Sequence, residues 1–200
     1  YVAPPVDVDE NGNVTKVYVK ANSNVSSFCC FIDACNGHSL SDPDCEINTK
    51  CFERLKGWAA VTDDIGVYLY WANYKDYFTF YDNWAAISTW PTELARYNVK
   101  MCFAQCVQNK SSTFGDLRLY LMSKYFTNPD AGNLQELTRD FMDHYYKAAS
   151  KEMYDYYVNV KAHITAMQFK AGSSHVNCYD NEDAQGDFMY QDKSWWSLYT

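Results

Sequence analysis

The sequence lacks a surplus of basic residues, a long apolar run and an initiating methionine. It carries 17 Lys and Arg against 25 Asp and Glu, a net charge of −8. Because a nucleic-acid-binding surface must neutralise phosphates with basic side chains, this balance argues against nucleic acid as a partner. No uncharged apolar stretch approaches the roughly 20 residues that a bilayer requires, so we expect no membrane span. The chain begins at Tyr1 without Met or signal peptide, and we expect a processed chain or a piece of a longer protein.

Aromatic residues are abundant. Tyr, Phe and Trp make up 18 % of the 200 residues, hydrophobic residues 48 % and charged residues 21 %. These proportions are typical of globular proteins and exclude a disordered chain. The length suits one good-sized domain and is too short for two.

The eight cysteines do not form the closely spaced pairs of a typical structural zinc site. Cys29, Cys30 and Cys102 lie in apolar runs, where a free cysteine behaves as a small hydrophobic residue. Cys35 and His38 leave two alternatives open, a Cys/His metal site and a thiol nucleophile activated by the imidazole. We favour neither, because the second ligand pair is missing and nothing nearby resembles the orienting Asn or Asp of a thiol hydrolase. The prediction is therefore no metal and no cofactor.

Three short apolar runs predict buried strands, at Val25–Ile32, Val67–Trp71 and Val99–Phe103. An alternating stretch around Asn11 and Gly12 predicts a β-hairpin before the first of them. Apolar residues at three-to-four spacing predict helices between and after the strands. Their expected positions are Ile47–Thr62, Trp84–Tyr97 with a start or kink at Pro91, Phe114–Phe126, a helix that opens at Asn133, and Ser150–Phe169.

Strand, loop and helix repeat at intervals of about 35 to 40 residues, which is the rhythm of βα units on a parallel sheet. The loops after the strands are long, as in barrels whose strand carboxyl ends carry the site. We therefore expect the site residues just after the strands. Amide side chains there offer hydrogen-bond donors and an acceptor to a ligand. The candidates are Asp33, His38, Asn73, Tyr74 and Gln105.

Several segments in fixed order resemble a known family. They are CFIDACNGHSL (30–40), LKGW (55–58), YWANY (70–74), VKMCFAQ (99–105) and GDLRLYLMSKYFTNPD (115–130). Together they resemble the C-terminal half of the bacterial "domain of unknown function 4838" proteins, over roughly residues 1–168. That family is connected with glycoside hydrolases of family 163, which are endo-β-N-acetylglucosaminidases acting on N-glycans.

The resemblance implies an α/β fold that is part of a (β/α)8 TIM-type barrel, with about the last four strands followed by C-terminal helices. Residues 1–128 would be the C-terminal half of the barrel, 129–170 a helical extension, and 171–200 a linker with an aromatic tail. The implied partners are a glycan ligand and the missing N-terminal half of the barrel. The implied location is extracellular, cell-surface or periplasmic.

The resemblance also implies a reaction, the cleavage of N-acetylglucosamine-containing glycans. The reaction would use paired carboxylates that flank the glycosidic bond, or one carboxylate that orients the N-acetyl group of the substrate. Asp33 is the best catalytic candidate in this chain. The resemblance adds Tyr70 to the candidates for substrate binding, because Tyr70 and Trp71 alternate faces in a strand and only one of them can point into a barrel. The candidates would recognise sugar hydroxyls and stack on a sugar ring.

The family pattern leads us to expect acids where the chain has Phe31, Leu69 and Ala104. These departures favour an alternative, a non-catalytic glycan-binding or scaffolding protein on the same fold.

Overall fold

The computed structural model describes residues 3–72, 80–106 and 112–168, with side chains up to residue 163. Helices and strands alternate from β3 to α3, and helices follow. The strands are β1 (Val6–Val8), β2 (Val14–Val17), β3 (Ser27–Phe31), β4 (Ile65–Tyr70) and β5 (Val99–Gln105). The α-helices are α1 (Glu46–Val61), α2 (Trp84–Ala95), α3 (Gly115–Thr127), α4 (Leu134–Tyr146) and α5 (Ser150–Gln168), with a short 3-10 helix at Lys147–Ala149.

Strands β1 and β2 form the hairpin that the sequence predicts, as a separate antiparallel pair. The Asp9 carboxylate closes the turn by accepting from the backbone N–H groups of Asn11 (2.9 Å) and Asn13 (2.8 Å). Gly12 has φ +70°, a conformation that costs glycine little. The hairpin region packs closely on α1, since a Cβ built on Gly57 would lie 2.4 Å from Pro4 Cγ.

Strands β3, β4 and β5 form a parallel sheet in chain order. In a parallel pair, residues opposite each other point to the same face of the sheet. Phe31, Leu69 and Ala104 are opposite one another, and so are Cys30, Tyr68 and Phe103. The parallel βα prediction is therefore confirmed, with strand bounds shifted by one to two residues at most ends.

One face of the sheet is covered by helices. Leu69 and Val67 on this face are fully buried in one core with the apolar stripes of α1 and α2. The Trp90 ring of α2 lies 5.8 Å from the Trp71 ring and 6.3 Å from the Phe31 ring, measured between centroids. Pro91 lies inside α2 rather than at its start.

No helix of the described residues covers the opposite face. Phe28, Met101 and Phe103 point there and are 50 %, 56 % and 51 % exposed. Gly66 lies among them, and the Phe28 ring packs directly over it. A Cβ atom built on Gly66 would lie only 2.4 Å from Phe28 Cδ2, so a larger residue would displace the ring. We call this surface the helix-free face and define it by Phe28, Cys30, Gly66, Tyr68, Tyr70, Met101, Phe103 and Gln105.

The described residues hold three parallel strands and no closed barrel, whereas the resemblance predicts about four strands of a (β/α)8 barrel. The other two described strands are the antiparallel hairpin, which belongs to a different sheet. The outer edges of β3 and β5 pair with no further described strand. The structure thus shows a mixed α/β protein with a three-stranded parallel sheet, and the partial barrel stays a prediction.

The C-terminal helices belong to the same core as the sheet. Tyr157 of α5 packs against Trp84 of α2, with ring centroids 5.2 Å apart, and against Phe114 at 5.5 Å. Helix α4 begins at Asn133, as predicted, where the side chain caps the Gln135 N–H at 2.7 Å. None of the helices in the described part of the chain combines the length and the apolar character of a membrane span.

Candidate functional site

Tyr70 and Gln105 lie opposite each other at the carboxyl ends of β4 and β5, on the helix-free face. The Tyr68 hydroxyl donates a short hydrogen bond to Gln105 Oε1. The Tyr68 ring stands 4.7 Å from the Tyr70 ring and 4.7 Å from the Phe103 ring. The structure therefore brings two predicted site residues together and adds two aromatic rings beside them.

A groove runs from this group to the outer edge of β3. It has a volume of about 570 Å³ and is lined by Ser27, Phe28, Cys29, Cys30, Phe31, Arg54, Trp58 and Tyr70. Sites for small ligands typically enclose about 300–1,000 Å³ between apolar and aromatic side chains with a few polar groups. The groove has that size and lining, with Arg54 as its charged group.

Asp33 contacts α1 at the groove, because its partner Arg54 lines the groove together with Tyr70. Its Oδ2 accepts a charged hydrogen bond from Arg54 Nη2 at 2.8 Å, and its Oδ1 is 3.8 Å from the Cys51 thiol. Both partners belong to α1.

His38 lies in the loop between β3 and α1, in contact with Cys35. The Cys35 Sγ and the His38 Nδ1 are 3.2 Å apart, and both residues are buried. The carbonyl oxygen of His38 accepts from Trp90 Nε1 at 2.9 Å. Among the predicted site residues, His38 therefore belongs to a different group of side chains from Tyr70. Asn73 and Tyr74 lie outside the described residues.

The three positions where the family pattern predicts acids form one row across the sheet. Phe31, Leu69 and Ala104 are opposite one another on the helix-covered face. Phe31 and Leu69 are buried in the core, where a carboxylate would have to lose its hydration without a partner. The apolar side chains of Phe31 and Leu69 fit their place in the core.

Arg118 lies at the centre of a buried group of hydrogen bonds, and nothing in the sequence around it predicts that burial. Its guanidinium donates to Asn83 Oδ1 at 3.0 Å and to the carbonyl oxygens of Tyr81 and Thr113. It stacks over the Trp84 ring at 4.7 Å. Burial lowers the pKa of Arg118 to about 10 and raises the pKa of the neighbouring Asp82. The group fixes the start of α2 and is structural.

Tyr68 is the site residue that the sequence argument missed. It has the same parity as Tyr70 in the strand VYLY, so both rings must lie on one face. The spacing of two residues between Tyr68 and Tyr70 could therefore have predicted that Tyr68 belongs to the same site. The side chain of Tyr68 links the site because it touches Tyr70, Phe103 and Gln105.

The fold and this group of side chains define a parallel βα protein with an aromatic and amide site at the carboxyl ends of its strands. The family model described as "Domain of unknown function (DUF4838)" matches residues 14–159. The chain belongs to this family. Neither the comparison with curated proteins nor the comparison with solved structures found a match.

Proposed function

We propose that this chain binds glycans containing N-acetylglucosamine, through Tyr70, Gln105 and Tyr68 on the helix-free face. The observation that carries the proposal is the register of β4 and β5, which sets Tyr70 opposite Gln105 at the strand carboxyl ends. Tyrosine rings present a flat apolar surface to a pyranose ring. A glutamine amide offers both a donor and an acceptor to hydroxyl and acetamido groups.

Binding is supported better than cleavage by the residues that the structure describes. Glycoside hydrolysis uses carboxyl groups at the scissile bond, either a pair that flanks it or one that orients the N-acetyl group of the substrate. The described residues of the helix-free face include none, and Asp33 is ion-paired with Arg54 on α1. The roles of Asp33, His38, Asn73 and Tyr74 in sugar contact stay predictions.

A hydrolase of which this chain forms one part is the second candidate. Its support is the sheet itself. Among the described residues, β3 and β5 each have an outer edge that pairs with no further strand, and no helix covers the apolar helix-free face. Sheets of native proteins pair, cover or charge such edges. We propose that further strands of a (β/α)8 barrel pair there and supply the carboxylates, with the helix-free face as the inner wall.

The experiment is a calorimetric titration of the purified chain, first with chitobiose and then with an N-glycan core oligosaccharide. We expect binding by the wild type and an approximately tenfold or greater loss of affinity in Tyr70→Ala and Gln105→Ala. Tyr18→Ala and Gln135→Ala, both at exposed positions elsewhere, should bind as the wild type does. Binding that is absent, or unaffected by Tyr70→Ala and Gln105→Ala, would refute the proposed site.

Product analysis of the same mixtures distinguishes the two candidates. A binding protein returns the oligosaccharide intact after prolonged incubation. Release of sugar by the chain, abolished in Asp33→Asn, would instead favour a hydrolase that is already complete. Cleavage that begins only when the preceding part of a longer chain is added would support the divided barrel.

A further inference from the structure

Cys35, His38 and Cys45 form a buried cluster at the base of the loop between β3 and α1. Their donor atoms all lie within 4.8 Å of one another. The three residues are 5 %, 8 % and 0 % exposed. We propose that this cluster binds one zinc ion, with water as the fourth ligand, and that the ion holds the β3–α1 loop in place.

The distances suit zinc. Bonds of about 2.3 Å to sulfur and about 2.0 Å to nitrogen, in tetrahedral geometry, place neighbouring donor atoms about 3.5–3.8 Å apart. The Cys35 Sγ and the His38 Nδ1 are already 3.2 Å apart, and no pair of donors exceeds 4.8 Å. Small side-chain rotations would therefore bring the three donors to these separations. Two thiolates and an imidazole select zinc over magnesium or calcium, which prefer oxygen ligands.

The position of Cys45 supports a thiolate. Cys45 is the N-cap of α1, and its Sγ accepts from the backbone N–H of Asn48 at 3.5 Å. A helix N-terminus carries partial positive charge and stabilises an anionic sulfur. This N–H···S contact is independent of the clustering itself, and it is the kind of second contact that orients metal ligands.

The loop that carries the ligands is held by buried polar side chains. Asn48 accepts from the Cys35 N–H at 2.8 Å and donates to the carbonyl oxygens of Cys35 (2.9 Å) and Ser39 (2.9 Å). Glu93 of α2 accepts from the N–H groups of Leu40 and Ser41, each at 3.0 Å. A ligand set fixed in this way loses little conformational entropy on binding a metal.

The metal would also fix the end of β4. Asn36, between two of the ligands in sequence, donates to the carbonyl oxygen of Tyr70 at 3.1 Å and to the Tyr81 hydroxyl at 2.6 Å. The same cluster is a poor nucleophilic site, because reactive cysteines are partly exposed and Cys35 is 5 % exposed. A metal site is therefore the better assignment, and it does not depend on the proposed glycan binding.

The first test measures zinc directly. The reduced, full chain is incubated with zinc chloride, freed of excess metal and analysed by elemental mass spectrometry. We expect about one zinc per chain. Replacement by cobalt(II) should give thiolate-to-cobalt charge-transfer absorption and the visible bands of a tetrahedral site. Absence of stoichiometric uptake would overturn the proposal.

Substitutions locate the ion. Cys35→Ser, Cys45→Ser and His38→Gln should each reduce retained zinc about tenfold or more after dialysis against a chelator. Cys30→Ser changes an exposed cysteine elsewhere and should retain the metal fully. Equal zinc content in all four variants would show that the ion binds at another site.

A measurement on the wild type covers the case in which the variants fail to fold. Native alkylation followed by peptide mass spectrometry should show Cys35 and Cys45 protected by zinc and exposed by the chelator, with Cys30 modified equally in both. If mass spectrometry instead finds a Cys35–Cys45 disulfide after the chain has been reduced and incubated with zinc, the two sulfur atoms are not metal ligands and the proposal is refuted. Unprotected thiols in the presence of zinc would refute it as well.

Discussion

Arg118 shows how a single buried charge can hold several parts of a fold together. The side chain is 3 % exposed, and three of its nitrogens are used by Asn83 and by two backbone carbonyl groups. In sequence it lies on a helix beside Asp116, where a solvated or helix-packing role is expected. Periodicity alone could not show burial, because the groups that surround Arg118 come from the start of α2 and from Thr113.

We expect Arg118→Met to lower the free energy of unfolding by about 3 kcal/mol, because the partner groups lose their hydrogen bonds while remaining buried. Urea denaturation followed by tryptophan fluorescence measures the change. Arg96→Met, at an exposed position after α2, is the matched control and should stay within about 0.5 kcal/mol of the wild type. Equal stability of the two variants would contradict the structural role of Arg118.

At the scale of the element, the alternation of side chains along β3 separates two adjacent cysteines. Cys29 points to the helix-covered face, and burial raises the pKa of its thiol to about 11. Cys30 is exposed on the helix-free face. In strands, this alternation follows from the pleat.

We therefore expect a maleimide at pH 7.5 to modify Cys30 well before Cys29. The reactive species is the thiolate, and a raised pKa keeps Cys29 protonated until the pH approaches about 11. Peptide mass spectrometry over a time course measures the two rates. Since Cys30 is opposite Tyr68, a bound glycan should also slow its modification. Similar rates at both cysteines would show that the helix-free face is covered in solution.

The elements themselves were largely predictable, because each apolar run or stripe is local in sequence. The start of β4 was not, since Ile65 and Gly66 follow two aspartates and interrupt the apolar run. The division of the site was less predictable still. Asp33 follows β3 and Tyr70 is the last residue of β4, yet the first contacts α1 and the second lies on the helix-free face. Strand alternation fixes the face only within a strand. For a residue beyond the strand end, such as Asp33, the turn that follows decides which element its side chain contacts.

At the scale of the whole molecule, the sheet and the C-terminal helices share one core. The sequence predicts a boundary near residue 128, with a helical extension after it. Tyr157 of α5 is 4 % exposed and packs against Trp84 and Phe80, with ring centroids 5.2 Å and 6.3 Å away. Helix periodicity predicts that Tyr157 is buried, but not which element covers it.

We expect Tyr157→Ala to destabilise the entire chain by about 3 kcal/mol or more, because it removes a large side chain from this shared core. Tyr156→Ala changes the adjacent, 52 % exposed ring and should cost far less. If the core is one unit, tryptophan fluorescence and far-ultraviolet circular dichroism will give a single, coincident urea transition that moves as a whole in Tyr157→Ala. A helical extension that folds by itself would instead give two transitions, of which Tyr157→Ala shifts only one. The rings of Trp84 and Phe80 meet α5 within the described residues, so the single transition is the result that this packing predicts.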